Sequence, residues 1–573
     1  MAASLGKARL PWGLRFATDG HRFAFGRNLI MRIAAAVLAL SLSACATTPS
    51  GQAPVSLAVM QEVTRVLSSD EFEGRAPGTP GEDKTIAYLA EQFAAAGLAP
   101  GNNGSWLQEV PLVEMTAQDI APLTVGALQF APGSDWVGVT YREDASTVLA
   151  DSEVVFVGYG INAPERGWND YEGIDMRGKT ALILVNDPDY AAEGLEGTFN
   201  GRAMTYYGRW TYKFEEAARQ GAAAALIVHE DFPAAYGWNV VESSWSGPQV
   251  YAARTDGGAS QTQVNGWVQL AVAQQIAQAG GQDLARLSAA AAQPGFRAVP
   301  LGVAASTRFD NAIRRFASHN VVAMLPGTTA PDEYVLHTAH WDHLGRCTPN
   351  AAGDDICNGA VDNATGTAAL VALGKAHAEA GATARTQLFL AVTAEESGLL
   401  GSEYYAANPV YPLAQTVGGL NMDALYVFGE ARDVTVIGGG KSELDAYLDR
   451  ALAAQGRSGT PDPSPHAGRY YRSDHFGLAK RGVPMLYVKS GEDLVVGGRE
   501  AGHAAYVDYN DNAYHGPEDE YDPAWDWSGV AQDLALNFAI GRALGDTTEW
   551  PNWLEGDEFR AVRDADCAAA GGC

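Results

Sequence analysis

Residues 388–402 have the sequence Leu-Phe-Leu-Ala-Val-Thr-Ala-Glu-Glu-Ser-Gly-Leu-Leu-Gly-Ser. The apolar, partly β-branched first half is typical of a buried strand, and a segment of small residues follows it. Glu395 and Glu396 are therefore predicted to lie on the turn where the strand ends, the edge of an open α/β sheet at which active sites are found. Two adjacent glutamates can also simply cap the helix that follows. Other parts of the chain decide between these interpretations.

Four other segments carry residue types that bind divalent metals, each at the end of a strand-like run. In chain order, and together with the glutamate pair, they supply His, Asp, Glu-Glu, Asp and His. The segments are 337–343 (His-Thr-Ala-His-Trp-Asp-His), 358–366 (Asn-Gly-Ala-Val-Asp-Asn-Ala-Thr-Gly), 419–423 (Gly-Leu-Asn-Met-Asp) and 514–520 (Tyr-His-Gly-Pro-Glu-Asp-Glu). Two divalent ions about 3.5–4 Å apart need a bridging carboxylate, imidazole and carboxylate end ligands, and an open position for water. The five segments together contain such a set.

The most specific motifs in these segments are His-x-Asp, Gly-Ala-x-Asp-Asn-Ala-x-Gly, Glu-Glu-x-Gly-Leu-x-Gly-Ser and Tyr-His-x-Pro-x-Asp-Glu. They resemble metallopeptidase family twenty-eight, the co-catalytic zinc exopeptidases, whose best-known members are bacterial leucyl-type aminopeptidases. The resemblance covers roughly residues 55–545. It implies an α/β fold with a mixed, mostly parallel sheet flanked by helices, and the alternation of strand-like and helical runs predicts the same.

The same resemblance assigns roles around two Zn²⁺ ions. It implies these ligands: Asp362 as the bridge, His340 and Asp423 at one ion, and Glu396 and His515 at the other. Glu395 is then left to act as the base. The peptide bond from Asp362 to Asn363 is expected to be cis, a conformation that costs about 3–4 kcal/mol and persists only where the surroundings enforce it.

The residues close to His340 in sequence each have more than one possible role. His337 and His343 flank His340 and are the less favoured candidates for its place as a ligand. Asp342 fits a supporting role, because metal-bound imidazoles usually donate their other N–H to a carboxylate. A plain surface aspartate is the alternative for Asp342.

The resemblance also points to residues around the substrate. Arg472, in an Arg-Ser-Asp element, is expected to hold a substrate carbonyl or carboxylate, unless it pairs with Asp474 to hold a loop. Tyr514 is expected to donate its O–H to the oxyanion of the tetrahedral intermediate, unless it only packs. Arg75, in a Gly- and Pro-rich loop, is expected to be a structural anchor.

The pattern changes between residues 131 and 299, where short β-rich runs such as 154–160 and 180–185 resemble a protease-associated domain. This insert contains no metal-ligand cluster, so we expect it to serve substrate access or partner contact. The peptidase domain is then split into 55–130 and 300–545, and residues 546–573 form a tail.

The N-terminal region resembles the signal of a bacterial lipoprotein. Its apolar run, 33–42, is shorter than the roughly 20 residues that span a bilayer, so a cleaved signal is favoured. Leu42-Ser43-Ala44-Cys45 resembles a lipobox, although an ordinary signal peptide followed by a chance cysteine is the alternative. We expect removal of residues 1–44, of which 1–30 can be an over-called start upstream of Met31. We further expect lipidation of Cys45, a tether over 45–54, and a lipid-anchored protein of the periplasm or cell envelope.

Export permits disulfides. Cys347 and Cys357 are predicted to pair at the mouth of the site, and Cys567 and Cys573 form a second close pair in the tail. Zinc binding by these thiols is less favoured because they lack Cys-x-x-Cys spacing.

The length, apolar content and net charge of the chain limit its protein class and its binding partners. The 573 residues suggest two to four domains, and an apolar content of 47% with 64 glycines fits a globular protein. A net charge of −29 argues against nucleic acid as a partner, since phosphate contacts need clustered Lys and Arg. It also disfavours contact with an anionic membrane surface except through the lipid anchor.

The resulting expectation is a metallo-aminopeptidase that hydrolyses the N-terminal bond of a peptide substrate. The metals would polarise the scissile carbonyl and activate water, and Glu395 would carry the proton to the leaving amine. Three alternatives stay open: a carboxypeptidase on the same two-zinc centre, a glutaminyl-cyclase-like acyl transferase with one metal, and a non-catalytic binding module. The sequence does not determine the oligomeric state.

Overall fold

A computed structural model describes residues 55–571 and residue 573. The expected signal sequence, the lipidation site Cys45 and the tether lie outside these residues. Within 55–571, none of the helices combines the length and the apolarity needed to span a bilayer.

The first described elements are helices that pack beside the sheet and strands that enter it. They are α1 (Leu57–Leu67), α2 (Pro80–Ala95), β1 (Ala99–Pro100) and β2 (Leu107–Gln118). Ser56 caps α1, since its hydroxyl accepts from the backbone N–H of Val59.

The next region is rich in short strands, as the sequence predicts for the insert. Its elements are β3 (Leu123–Val125), β4 (Leu128–Phe130), β5 (Trp136–Val139), β6 (Ser146–Phe156), β7 (Asn162–Ala163), β8 (Trp168–Asn169), β9 (Thr180–Leu184), α3 (Trp210–Arg219), β10 (Ala224–His229), α4 (Asp231–Ala234), α5 (Trp238–Ser244), β11 (Pro248–Ala252), β12 (Val264–Gln269), α6 (Leu270–Ala279), α7 (Leu284–Ala291) and β13 (Val299–Leu325). Strands β6, β9, β10 and β12 are parallel neighbours, and β5 runs antiparallel to β12.

The remaining chain alternates strands with helices. Its elements are β14 (Ala330–His340), β15 (Gly345–Arg346), β16 (Ile356–Cys357), α8 (Gly366–Ala380), β17 (Arg385–Val392), α9 (Leu400–Ala407), β18 (Thr416–Asn421), β19 (Asp433–Ile437), α10 (Asp445–Gln455), β20 (Ser458–Pro461), α11 (His475–Ala479), β21 (Met485–Ser490), α12 (Gly498–Asn512), α13 (Ser528–Asp546) and α14 (Arg560–Ala570).

Four parallel strands form the centre of the sheet in this part of the chain, in the order β17, β14, β18, β21. Antiparallel strands flank them, with β13 beside β17 and β19 beside β21. The sheet is therefore mixed and mostly parallel, as the sequence predicts.

Helices cover both faces of this sheet, and β17 shows how its residues divide between them. All eight residues of β17 are buried, as is typical of parallel strands between two helical layers. Phe389 and Ala391 pack with α1, α2 and α8, whereas Leu388 and Leu390 pack with α9 and α11. This alternation follows from the two-residue period of a strand.

One long strand, β13, runs from the β-rich region to the parallel strands β17, β14, β18 and β21. It pairs with β6 and β2 along its first part and with β17 over 321–325. The predicted domain boundaries at 131 and 299 stay predictions.

Candidate active site

The strand order gathers the predicted metal ligands at one edge of the sheet. His340 is the last residue of β14, Glu395 and Glu396 follow the end of β17, and Asp423 follows β18. Because the parallel strands are neighbours, their carboxyl ends meet. The turns before α8 and after α12 add Asp362 and His515.

Asp362 lies between two sets of ligands. Its Oδ1 is 3.3 Å from Nε2 of His340, and its Oδ2 is 3.4 Å from Nε2 of His515. Asp423 Oδ1 is 3.8 Å from the same His340 nitrogen. Glu396 Oε2 is 3.2 Å from Nε2 of His515. Each oxygen of Asp362 therefore faces a different imidazole, which is the arrangement of a bridging carboxylate.

These distances suit zinc. Two ligand atoms bound to one tetrahedral zinc ion at about 2.0–2.1 Å lie about 3.3–3.4 Å apart. Three of the four separations are 3.2–3.4 Å, and the fourth is 3.8 Å. Imidazole nitrogens and carboxylate oxygens are zinc ligands, so both the geometry and the chemistry of the donors fit two ions that share Asp362.

The electrostatics of the site also favour cations. Burial opposes protonation of His340, but Glu395, Asp362 and Asp423 raise its pKa well above the usual value. Burial likewise opposes protonation of His515, but Glu396 and Asp362 raise its pKa to about 11. The crowded carboxylates thus stabilise positive charge at this point, whether it is carried by protons or by metal ions.

His343 also approaches the second ligand set, at 2.6 Å from Oε1 of Glu396 through Nδ1. Two ligands of one zinc ion do not come this close, whereas a charge-assisted hydrogen bond does. His343 therefore donates to Glu396 and leaves Oε2 of that carboxylate facing His515. Atoms of His343, Asp362 and Glu396 also lie close enough together to hold an ion, but the spacing fits His515 better as the ligand and His343 as the hydrogen-bond partner of Glu396.

Glu395 is positioned by a turn directly after β17. Ala394 has a left-handed backbone conformation (φ 53), which redirects the chain so that both glutamates reach the site. Ligand atoms of His340, Glu395 and Glu396 all lie within 4.8 Å of one another. Burial raises the pKa of Glu395 well above its usual value, His340 opposes this, and Glu396 and Asp474 add to it. A carboxyl group whose pKa is raised towards neutrality is suited to proton transfer.

Asp342 supports the site differently from the sequence-based expectation. Nδ1 of His340 is 3.1 Å from the backbone oxygen of Asp342 and 3.8 Å from its carboxylate. The carboxylate instead accepts the backbone N–H groups of Glu395 (3.1 Å) and Glu396 (3.4 Å). Its side chain points across the sheet edge to the turn after β17, so it holds that turn.

Two buried charged residues hold the loop that carries Asp362. Asp519 accepts the backbone N–H groups of Val361 (2.9 Å) and Asp362 (3.0 Å). The Arg75 guanidinium donates to four backbone carbonyls, those of Trp341, Leu67, Asn358 and Gly359. This confirms the anchoring role predicted for Arg75. The role of Asp519 was missed, although it stands in the same motif as His515.

Gly359 precedes this loop at a position that other residues would not fit. Its φ is 54, and an added Cβ would lie 2.2 Å from the backbone oxygen of Asp362. The peptide bond between Asp362 and Asn363 is cis, as predicted.

Three further residues were candidates for metal or substrate binding, and the structure places each of them differently. His337 is excluded as a ligand, because it is buried with Nε2 against Oε1 of Gln387 at 2.8 Å. The ring of Tyr514 stacks on that of His515 at 3.9 Å and is 45% exposed. Arg472 is exposed, and no ion pair joins it to the buried Asp474, so the loop-holding pair is wrong.

A disulfide joins Cys347 and Cys357, as predicted, and a second joins Cys567 and Cys573. Sγ of Cys357 lies 3.7 Å from the backbone oxygen of His515. The first disulfide therefore packs directly against the segment that carries a metal ligand.

An α/β sheet with these His, Asp and Glu side chains at its carboxyl edge offers the donor set of a divalent-metal site. Residues 320–539, which hold all of these side chains, match the sequence model of Peptidase family M28, and this match covers less than half of the chain.

The chain is also similar to solved structures, whereas no curated protein matches it. An aminopeptidase from Aneurinibacillus sp. strain AM-1 is 20% identical over 87% of this chain and 96% of its own, with a TM-score of 0.47. BSAP, a zinc aminopeptidase from Bacillus subtilis, is 17% identical over 89% and 100%, with a TM-score of 0.40. A peptidase M28 precursor from Shewanella amazonensis SB2B is 15% identical over 86% and 98%, with a TM-score of 0.36.

Proposed function

We propose that the protein is a zinc-dependent aminopeptidase that removes N-terminal residues from peptides at a two-metal centre. The observation that carries this proposal is the position of Asp362, with one oxygen towards His340 and the other towards His515. When bound, two zinc ions would polarise a carbonyl group and lower the pKa of a water molecule.

Side chains of the protein would carry out the other steps of the reaction. Glu395 would accept a proton from the attacking water and deliver it to the leaving amine. The ring of Tyr514 stacks on that of His515, and its hydroxyl would donate to the oxyanion that forms at the carbonyl. The surrounding carboxylates provide a favourable place for the substrate's N-terminal ammonium.

The alternatives differ in what they require. A glutaminyl-cyclase-like reaction on one metal would not need both ligand sets, and here both are complete. A binding module without activity would not need Glu395 as an additional carboxylate beside the ligands. A carboxypeptidase would use the same centre and differs only in which end of the peptide is bound.

The direct test is hydrolysis of aminoacyl p-nitroanilides by the purified, zinc-loaded protein, before and after chelation. We expect activity that chelation abolishes and zinc restores, and that Glu395→Gln lowers by a factor on the order of 10²–10⁴. N-acetylated versions of the same substrates should not be cleaved. Cleavage of N-acetylated dipeptides with a free C-terminus, and of nothing else, would show a carboxypeptidase instead.

We also propose that the protein is exported and anchored by a lipid on Cys45. Two disulfides within the described residues support an oxidising compartment. Mass spectrometry of the membrane-extracted protein should find an acylated Cys45 as its first residue, and an unmodified chain that begins elsewhere would contradict this.

A further inference from the structure

Lys489 lies near the end of β21, on the face of the strand that turns towards the metal site. Leu486 and Val488 pack into the core with α10 and α13. Since side chains of a strand alternate between its faces, Tyr487 and Lys489 share the opposite face. The hydroxyl of Tyr487 donates to Oδ2 of Asp423 at 3.1 Å. Lys489 is therefore a neighbour of the Asp423 end of the centre.

Aromatic rings surround the Lys489 ammonium. Its Nζ is 5.6 Å from the ring centroid of Tyr426 and 5.7 Å from that of Tyr487. The Tyr426 ring stacks on Phe428 at 5.0 Å and meets Tyr506 edge-on at 5.6 Å. These rings form a wall beside Asp423 that can contact the substrate's apolar atoms while the ammonium contacts a polar group.

Lys489 is half-buried, yet it forms no ion pair with any carboxylate of the described residues. Two other shielded lysines do have such partners: Lys441 pairs with Asp557 and Glu558, and Lys480 pairs with Glu215. Withdrawing an ammonium from water without a counter-charge is unfavourable. The carboxylate of Asp423 acts on Lys489 electrostatically but does not pair with it directly, so a ligand with a negative group would supply the direct partner.

This cation also distinguishes one side of an otherwise acidic site. A substrate's N-terminal ammonium is attracted to Glu395 and Asp423 but repelled by Lys489. A carboxylate on the substrate has the opposite preference. A residue that carries both groups, such as an N-terminal glutamate or aspartate, can satisfy the two parts of the site together.

We propose that Lys489 binds a substrate carboxylate next to the scissile bond, and that the enzyme prefers peptides with an acidic N-terminal residue. This inference rests on the proposed peptidase function. The same chemistry can come from a C-terminal α-carboxylate, so the test must separate the two sources.

The test compares kcat/KM for Glu- and Gln-p-nitroanilide, which differ mainly in the charge of the side chain. The wild type should prefer Glu on the order of 10–100-fold, the range expected for a hydrogen bond between charged groups. Lys489→Met should reduce the Glu-to-Gln ratio to about 1, Lys489→Arg should keep a preference for Glu, and Lys489→Glu should favour Lys-p-nitroanilide. Lys375→Met, which removes a partly exposed lysine on α8 that pairs with Glu379, is the matched control and should keep the wild-type ratio.

A purely structural role of Lys489 would lower the activity on all substrates together and leave the Glu-to-Gln ratio unchanged, and that result would overturn the proposal. Dipeptides with free or amidated C-termini form the second arm. If Lys489→Met removes discrimination between these two instead, the carboxylate is the C-terminal one and the assignment to an acidic N-terminal residue is wrong.

A binding measurement keeps this test independent of catalysis. Calorimetry should show that the zinc-loaded protein binds free L-glutamate more tightly than L-glutamine, and that Lys489→Met loses the difference. An inactive protein that still shows this difference would refute the peptidase function and retain the carboxylate site. Equal affinities in the wild type would refute the site.

Discussion

Nδ1 of His343 donates to Oε1 of Glu396 at 2.6 Å, while Oε2 of the same carboxylate lies 3.2 Å from Nε2 of His515. Both side chains are largely buried, with exposed fractions of 0% and 7%. The hydrogen bond fixes the rotation of the carboxylate before any ion arrives. Partners of this kind orient metal ligands and raise metal affinity.

Replacing His343 should therefore weaken one ion selectively. His343→Phe keeps a ring but removes the N–H donor, and we expect the affinity of the ion at Glu396 and His515 to fall about 10–100-fold. His343→Gln, which can still donate, should recover part of it. The measurement is zinc retained per chain against increasing chelator concentration, in which the two ions leave in separate steps.

The same titration separates a support from a ligand. His515→Ala is expected to lack one ion at every zinc concentration. If His343→Phe behaves in the same way, His343 is itself a ligand. No change in either step would mean that the hydrogen bond does not position Glu396.

Arg75 should be important for stability, although it does not contact the metal-binding atoms. Burial lowers the pKa of its guanidinium to about 10, so it stays charged at neutral pH while it donates to four carbonyls. Lysine cannot reach all four acceptors from one point. We expect Arg75→Lys to lower the free energy of unfolding by at least about 3 kcal/mol.

Chemical denaturation measures this loss. The control is Arg65→Lys, which alters an exposed pair with Glu62 and should cost less than about 1 kcal/mol. Similar stabilities for the two variants would show that the Arg75 hydrogen bonds are replaceable.

The sequence predicted that the candidate ligands lie together, because each belongs to a short motif at the end of a strand and adjacent parallel strands bring their ends together. It did not reveal His343 as the partner of Glu396, because 53 positions separate these residues and only the packing of β14 beside β17 joins them. Lys489 gave a weak signal, a single charge after the apolar run 485–488.

The long strand β13 was also missed, since the sequence does not predict one strand over its whole length from Val299 to Leu325. The charged residues over 308–315 obscure it, since strand pairing with β2 and β6 supports them and their side chains extend to solvent. Pairing between distant segments is not visible in local composition.

His377 should make the stability of the protein sensitive to acid. It is fully buried on α8 beside His337 on β14, Phe389 and Phe538. Burial lowers its pKa to about 2, and His337 and Arg542 act in the same direction. The native state therefore binds fewer protons than the unfolded state, whose histidine pKa is near 6.5. The contribution of neutral, buried His377 to the free energy of unfolding is therefore complete above pH 6.5, and it is lost as the pH falls below that value.

The expected size follows from the pKa difference. Between pH 8 and pH 5, His377 alone should cost the wild type about 2 kcal/mol, which His377→Leu would not lose. Urea unfolding at both pH values measures the difference, with the exposed His503→Leu as control. An equal loss in His377→Leu and in the wild type would contradict the assignment.

The central claim is that adjacent glutamates have different roles, Glu396 as a metal ligand and Glu395 as the base. The most direct measurement is the zinc content per chain of Glu395→Gln beside that of Glu396→Ala, each with its turnover. We predict two zinc ions in Glu395→Gln, with turnover reduced by a factor on the order of 10²–10⁴, and a ratio that falls from two towards one in Glu396→Ala. Loss of an ion in Glu395→Gln while Glu396→Ala retains two would contradict the account.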